Sequence, residues 1–517
     1  MKLGTYAIEQ DYSQYVARAS EIVFAVVGTA TKGPINTPTL CTSISDFVNK
    51  FGNLHPDCLG LYAGQYFLNQ ANKLYYVRAA SGAMSATVSI KGKATNATVE
   101  DAIVLEFKTP GTYYNDYTVN VTKQTTLDEL GLRFTLVVKN SKGIVVETIS
   151  DILLSSLTKV ESGVTVIVED SIESNYVHLK SVSSTSFNTL IDTEEVEGVK
   201  KFVDYKSSGG DDGILNITSG DYLEAGKLLA DENIDMNLFA IPGCSDHDVI
   251  TNMLDLAEAR GDSLYLVDPP NHKDATEIAD WHNGIGGTTT HERFNSSYGA
   301  LYWAWQKIYD SVNKVQIEVP PSVVVAPVIA KSTQMSEIWY APAGLQRGIV
   351  YGVVDPVTAP DRNARDVLYT GENNVNCIVT DPQVGICVFG QKTLYRQSTA
   401  LDRVNVRMLL NYLKRVIVAA CRSLTFEPND RITWNIFEDR IEPTLRNIQN
   451  HRGIYEYKIV KGETIVTDDD IDNYRMPCMI LIRPTKAAEE IPIYFTLTST
   501  GADFNSVLES NGIVVEN

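Results

Sequence analysis

Between residues 84 and about 206 the sequence runs through short alternating stretches, ATVSIKG, AIVLEFK, DYTVNVTK, LRFTLVVKN, GIVVETI and NYVHLKSV, separated by glycine, asparagine and serine turns. Successive side chains of a strand point to opposite faces, so each run buries one face and leaves the other wet. Several in succession predict an all-β sandwich or barrel. This block constrains the chain most, because the residues on either side follow a different period.

Upstream, FAVVG, SDFVNKFG, GLYAGQYFLNQAN and KLYYVRAA read as strand, loop, helix, strand, a βαβ-like opening. Downstream, DYLEAGKLLADE, NLFAIPG, DVITNMLDLAEARG and DSLYLVDPP resume the alternation, which implies parallel strands covered by helices. SSGGDDG, residues 207–213, reads as the return linker. The β block is therefore expected as an insertion, 84–206, within a discontinuous α/β domain formed by 22–83 and 207–335. VPPSVVVAPVIA reads as a last strand-rich segment before a mixed C-terminal domain, 336–495. Residues 1–21 have strand formers but no long apolar face and read as an arm, with 496–517 as a second arm. The expected fold class is multidomain α/β and α+β: an α/β domain with an inserted all-β sandwich or barrel, and a mixed C-terminal domain with terminal arms.

IVFAVVGTATKGP, residues 22–34, poses a question of its own. An apolar run ending in glycine and followed by a lysine can open a phosphate-binding loop, but such a loop needs GxxxxGK[ST] leading directly into a helix. Here Lys32 precedes Gly33, Pro34 and Pro38 follow, and the next helix cap is Ser43 or Ser45. The stretch predicts a buried strand and a turn.

A chain of 517 residues has room for three or four domains. Its net charge of −20 argues against a general binder of nucleic acid or anionic membrane. The charge is uneven: +1 over 1–83, −5 over 84–206, −13 over 207–330 and −3 over 331–517. No apolar run reaches spanning length and no terminal stretch reads as a signal peptide, so a soluble product that stays in its own compartment is expected. Cys41, Cys58, Cys244, Cys377, Cys387, Cys421 and Cys478 are dispersed without a CxxC pair and read as reduced, buried thiols.

The histidines form no HExxH, and no GxSxG elbow is present. Asp246, His247 and Asp248 directly precede a helix, where capping explains an aspartate better than metal binding. His272, His282 and His291 read as parts of a surface loop. No catalytic, cofactor-binding or metal-binding set assembles. An α/β enzyme with a nucleotide or sugar substrate stays as an alternative, resting on the strand ends NLFAIPG and DSLYLVDPP.

Residues 403–424, RVNVRMLLNYLKRVIVAACRSL, predict the clearest helix. At 100° per residue Arg403, Arg407 and Lys414 share about 40° of arc, with Arg415 and Arg422 within about 120°, opposite Met408, Leu409, Tyr412, Leu413, Val416, Ile417 and Leu424. Two readings are open: a solvated face, or an electrostatic contact with an acidic partner or a neighbouring copy.

Several strings occur in one order: SSYGALYWAWQKIYD, VPPSVVVAPVIAK, IWYAPAGLQRG, NVNCIV, GICVFGQKTL, LDRVNVRMLLNYLKR, FEPNDRITW and IRPTKAAEEIPIYFTLTSTGADF. With GTYAIEQDYS, VGTATKGPINTPTL and FKTPGTYYNDYTVNV upstream, the sequence resembles the contractile tail sheath proteins of myoviruses and R-type bacteriocins over almost its whole length. It departs from them in beginning KLGTY without a Pro-Gly lead and in having RMLL where a double arginine is common.

The resemblance implies a structural subunit with no cofactor. It implies self-assembly into hexameric rings stacked as a helical polymer around a tail tube protein, with baseplate and tail terminator proteins as further partners, and neither direct nucleic-acid binding nor membrane insertion. It places the protein in the virion tail, assembled in the host cytoplasm, with contraction driving the tube through the target envelope for genome ejection. The sheath of a bacteriocin or other contractile injection system is the alternative. It further implies terminal arms that exchange strands with neighbouring copies, carried here by Gly4, Thr5, Tyr6 and Ile8 at one end and by Ile493, Phe495 and Leu497 at the other. Arg403, Arg407, Lys414, Arg415 and Arg422 are then candidates for tube or inter-subunit contact, and the acidic block is expected to lie outward.

Overall fold

The computed structural model describes residues 21–93, 98–123, 133–161, 164–168, 171–183, 190–196, 199–285, 291–369 and 373–489. At its centre is an eight-stranded sheet with the strand order Thr39–Cys41, Leu74–Arg78, Phe24–Gly28, Leu238–Ala240, Leu264–Val267, Gly299–Trp303, Val375–Asp381, Gly385–Phe389. The six inner strands are parallel, and the two edge strands run antiparallel to their neighbours. Parallel strands buried on both faces need continuous apolar runs, and the alternation within FAVVG shows why. Phe24 and Val26 enter the core on one face of the sheet, Ala25 and Val27 the core on the other.

Helices Ser219–Lys227, His247–Arg260 and Ala275–His282 contribute to the second of these cores through Ala225, Val249, Ile250, Met253, Leu254 and Ile278. The first core takes in helices Ile44–Phe51, Leu59–Leu68 and Pro321–Met335. It continues without a break into helices Val404–Cys421 and Arg431–Asn450, through Met408, Leu409, Leu413, Phe437, Ile441 and Leu445. The sheet itself crosses the line drawn from the sequence at 335/336, because Val375–Asp381 pairs in parallel with Gly299–Trp303.

VPPSVVVAPVIA is not a strand. Residues 321–335 form a buried helix with Pro321 in its first turn, where a missing N–H costs nothing. Its valines disfavour a helix only by tenths of a kcal/mol each, and enclosure of every side chain from Pro321 to Ala330 outweighs that. The cap comes from far away in the sequence: Asp268 accepts from Ser322 N at 2.8 Å, Ser322 Oγ at 2.5 Å and Gly243 N at 3.1 Å.

Among the described residues of 84–206 the pairings between strands are all antiparallel. A three-stranded sheet (Val177–Val182, Val99–Phe107, Thr87–Lys93) and a four-stranded sheet (Tyr205–Lys206, Thr118–Lys123, Arg133–Lys139, Val145–Leu153) share a core that includes Val88, Leu105, Phe107, Val121, Phe134 and Leu136. Its buried members all lie between Ala86 and Tyr205. The join to the body is held by Arg78. This fully buried guanidinium donates to Gly33 O at 2.8 Å, Pro110 O at 2.6 Å and Asp212 O at 3.0 Å. Three backbone segments far apart in sequence thus meet on one cation, whose burial would be unfavourable without those acceptors.

The 29–34 stretch is a turn at this join. Lys32 is buried with its Nζ 3.8 Å from the centroid of the Tyr113 ring. Gly33 has φ +101°, and a Cβ there would fall 2.7 Å from the Phe51 ring. The next helix in sequence begins at Ile44, capped by Ser43, so the turn does not lead directly into a helix.

Candidate assembly surface

The basic helix, Val404–Cys421, buries Val404, Val406, Met408, Leu409 and Leu413. Its cations turn largely toward the chain's own body. Arg407 is 4% exposed, donates from Nη2 to Ser297 Oγ at 2.6 Å, and lies 4.0 Å from the Tyr298 ring centroid. Burial lowers its pKa, yet a guanidinium stays charged. Lys414 Nζ donates to Tyr298 Oη at 2.7 Å. Arg415 pairs with Asp235, and burial brings its pKa down to about 10. Arg403 makes a bidentate pair with Glu489 at 2.7 and 3.0 Å and touches Asp402 at 2.9 Å. Glu489 also accepts from Tyr369 Oη at 3.0 Å and Gln391 Nε2 at 3.1 Å. Arg422 alone of the five has an exposed side chain with no partner of this kind described. Spacing foretold the arc but gave no sign of Tyr298, Asp235 or Glu489, which come from distant parts of the sequence.

Beyond it, helix Arg431–Asn450 starts at Asp430, whose side chain accepts from Ile432 N and Thr433 N. It leads into a hairpin, Ile454–Val460 against Met479–Pro484, with Ile459 opposite Ile480 and Tyr457 opposite Ile482. These four residues pack against the core, whereas Tyr455 (57%), Met479 (47%) and Leu481 (50%) are exposed. The hairpin is a two-stranded sheet among the described residues, and neither outer edge has a strand partner there. Gly4, Thr5, Tyr6, Ile8, Ile493, Phe495 and Leu497 lie outside the described residues.

The groups that could have signalled chemistry have other roles. Asp246 is a helix cap, accepting from Asp248 N and Val249 N. His282 does not lie in a surface loop. It ends helix Ala275–His282 fully enclosed, and burial, followed by the nearby Arg293 charge, depresses its pKa to about 3. His247 stacks on His291 with ring centroids 4.5 Å apart, and His272 pairs with Glu318 at 2.9 Å. Among the described residues no group of three or more histidines, cysteines or carboxylates is placed to hold a metal. All seven cysteines are unpaired, five of them buried. No described helix is long and apolar enough to cross a membrane.

Comparison with known proteins gives this arrangement its context. Residues 216–394 match the family model for the phage tail sheath protein central domain, and residues 396–498 match that for the phage tail sheath C-terminal domain. The two models together span more than half of the chain and meet just after the last strand of the central sheet. The tail sheath protein of Enterobacteria phage T4 is 28% identical over 316 residues, 58% of this chain and 48% of that protein. The tail sheath protein of Vibrio phage KVP40 is 32% identical over 266 residues, 49% of this chain and 39% of that protein. The chain thus spans about half or less of the length of these curated relatives.

Among solved structures, the sheath tail protein from Listeria innocua superposes with a TM-score of 0.61 at 13% identity, covering 90% of this chain and 92% of that one. The helical sheath of the anti-feeding prophage in its contracted state gives 0.54 at 16%, covering 96% and 100%. The parallel-sheet body with its β insertion and helix-and-hairpin C-terminal part is therefore the fold of sheath tail proteins. The chain belongs to the phage tail sheath family.

Proposed function

We propose that the chain is the subunit of a contractile tail sheath, which polymerises as stacked hexameric rings around a tail tube and contracts to drive the tube through the target cell envelope. The observation that carries this reading is the C-terminal hairpin. Two strands alone are marginal in water, and open edges beside exposed Tyr455, Met479 and Leu481 form a template for added strands. The arms 1–21 and 496–517 supply those strands to neighbouring copies. About five hydrogen bonds per added strand at roughly 1 kcal/mol net contribute on the order of 5 kcal/mol per linkage. Such linkages keep subunits joined while other contacts change, and head-to-tail exchange generates rings or open helices.

In this reading 22–83 with 207–335, completed by strands Val375–Asp381 and Gly385–Phe389, form the outward α/β domain, 84–206 the peripheral β domain and the rest of 336–495 the inner domain, which meets the tube. Arg422 and the exposed Lys414 are the members of the basic set left to face the tube or a neighbour, while Arg403, Arg407 and Arg415 hold the helix to the body. The subunit is not an enzyme; its partners are its own copies, the tube, the baseplate and the tail terminator, in a virion tail assembled in the host cytoplasm. A contractile injection system other than a virus is the second reading, supported by the 96% coverage of this chain by the anti-feeding prophage sheath. Negative-stain microscopy of the purified chain tests the proposal. Wide hollow cylinders are expected, and a compact monomer at every concentration would refute it.

A further inference from the structure

A groove of about 470 Å³ opens between the C-terminal end of helix Leu59–Leu68, helix Pro321–Met335 and the small sheet Gln306–Asp310, Val315–Val319, Val353–Pro356. Its floor is apolar, formed by Ile308, Val324 and Val328, each 3% exposed or less. Its walls are the rings of Tyr66, Tyr309 and Tyr351, the last two 57% and 49% exposed.

Several polar groups around it are already engaged. Tyr66 Oη donates to Gly352 O at 3.0 Å, Tyr62 Oη to Asp310 Oδ2 at 2.6 Å, and Gln334 Nε2 to Gln70 O. Lys331 Nζ sits 3.7 Å from the Tyr351 ring centroid. Exposed tyrosine rings over an apolar floor suit aromatic and branched side chains better than a charged small molecule.

The path of the chain indicates which side chains those are. Glu21, the first described residue, is held by Asn72 Nδ2 at 2.9 Å and Lys73 Nζ at 3.1 Å. Asn72 follows within three residues of Asn69 and Gln70, which line the groove. Glu21 is therefore anchored within a few residues of the groove lining, and five extended residues reach about 17 Å. The preceding segment carries Tyr6, Ile8, Tyr12, Tyr15 and Val16, and its Asp11 is opposite in charge to Lys331.

We propose that the groove is the resting seat of residues 1–20 of the same chain before assembly. A tether this short gives an effective concentration in the millimolar range, so a weak fit suffices to fill the seat and a neighbour's stronger strand pairing can empty it. That later release rests on the strand-exchange reading above; the seat itself does not.

The test uses the full-length chain kept dilute enough to remain monomeric, with the photo-crosslinker p-benzoylphenylalanine in place of Tyr351. Mass spectrometry is expected to find crosslinks from position 351 to residues 6–20 within one chain. Crosslinks that join two chains, that reach any other segment, or that fail to form overturn the seat. As a second measurement, the double variant Tyr309→Asp, Tyr351→Asp changes only exposed rings, and unaltered protection of the buried thiols of Cys58 and Cys377 shows that it is folded. Tryptic cleavage after Arg18 is expected to accelerate about tenfold in it; an unchanged rate overturns the proposal. Both measurements are made on monomers, so cylinders from the same preparation together with an unchanged rate would sink the seat and leave the sheath reading standing.

Discussion

The guanidinium of Arg407 lies 4.0 Å from the centroid of the Tyr298 ring while donating to Ser297 Oγ, so one residue fixes the basic helix on the turn that precedes strand Gly299–Trp303. The side chain is nearly fully enclosed, and a carboxylate in its place would be a buried, unpaired charge. Arg407→Glu is therefore expected to destabilise the chain by about 3 kcal/mol or more, seen as a lower denaturation midpoint. Arg422→Glu should leave the midpoint within about 0.5 kcal/mol and impair sheath assembly. A stable Arg407→Glu chain would refute the packing role.

How much was legible before the fold was known follows from where the determining contacts lie. FAVVG announced a strand buried on both faces through its own composition, and Asp246 announced a cap through its place before an apolar helix. Helix Pro321–Met335 reads as strand in the sequence because its cap, Asp268, stands 54 residues upstream and its valines imitate a strand. The basic stripe was legible as an arc, but periodicity does not say whether an arc meets solvent or Asp235 and Tyr298. His282 reads as a loop residue in the sequence because its enclosure depends on Phe294 and Arg293 folding back over it. The open hairpin edges are a relation between residues 454–460 and 479–484, which no local pattern contains.

Asp268 sits fully buried, and desolvation raises its pKa to about 6 against the lowering effect of its three hydrogen bonds. A folded-state pKa above the unfolded value means that its contribution to stability is complete below pH 3.8 and is lost as pH rises through 6. The span corresponds to roughly 3 kcal/mol. Asp268→Asn lacks this dependence, so the melting-temperature gap between wild type and variant should be wider at pH 4 than at pH 7. A gap independent of pH would show that the carboxyl does not titrate there.

His282 has the opposite sign. Its folded pKa, about 3, lies below the unfolded value of 6.5, so stability is complete above pH 6.5 and is lost as pH falls toward 3. Between pH 6.5 and 5 the loss from this residue is about 2 kcal/mol. His282→Gln should flatten that part of the acid limb; melting curves of both chains at pH 7 and 5 make the comparison.

Arg78 serves the insertion rather than the sheet it ends. Arg78→Met would leave Gly33 O, Pro110 O and Asp212 O without their donor, a loss of roughly 3 kcal/mol. Because these carbonyls lie where residues 84–206 join the body, the effect should concentrate there. Hydrogen exchange is expected to quicken over 207–213 and 108–112 while strand Phe24–Gly28 stays protected. Uniform quickening across the chain would place the role of Arg78 in global stability instead.

The hairpin separates folding from assembly most cleanly. Met479 and Leu481 face away from the core, so Met479→Asp with Leu481→Arg removes no internal packing and should leave the melting temperature nearly unchanged. On the exposed face of a two-stranded sheet, however, the new charges would have to be buried by any copy that adds a strand there, and desolvating them opposes that addition. The double variant is expected to remain monomeric at concentrations where the wild type forms cylinders, with the difference visible by sedimentation. Cylinders from the variant at wild-type concentrations would mean that neighbours engage the chain elsewhere, and the hairpin would then need another reason for its open edges.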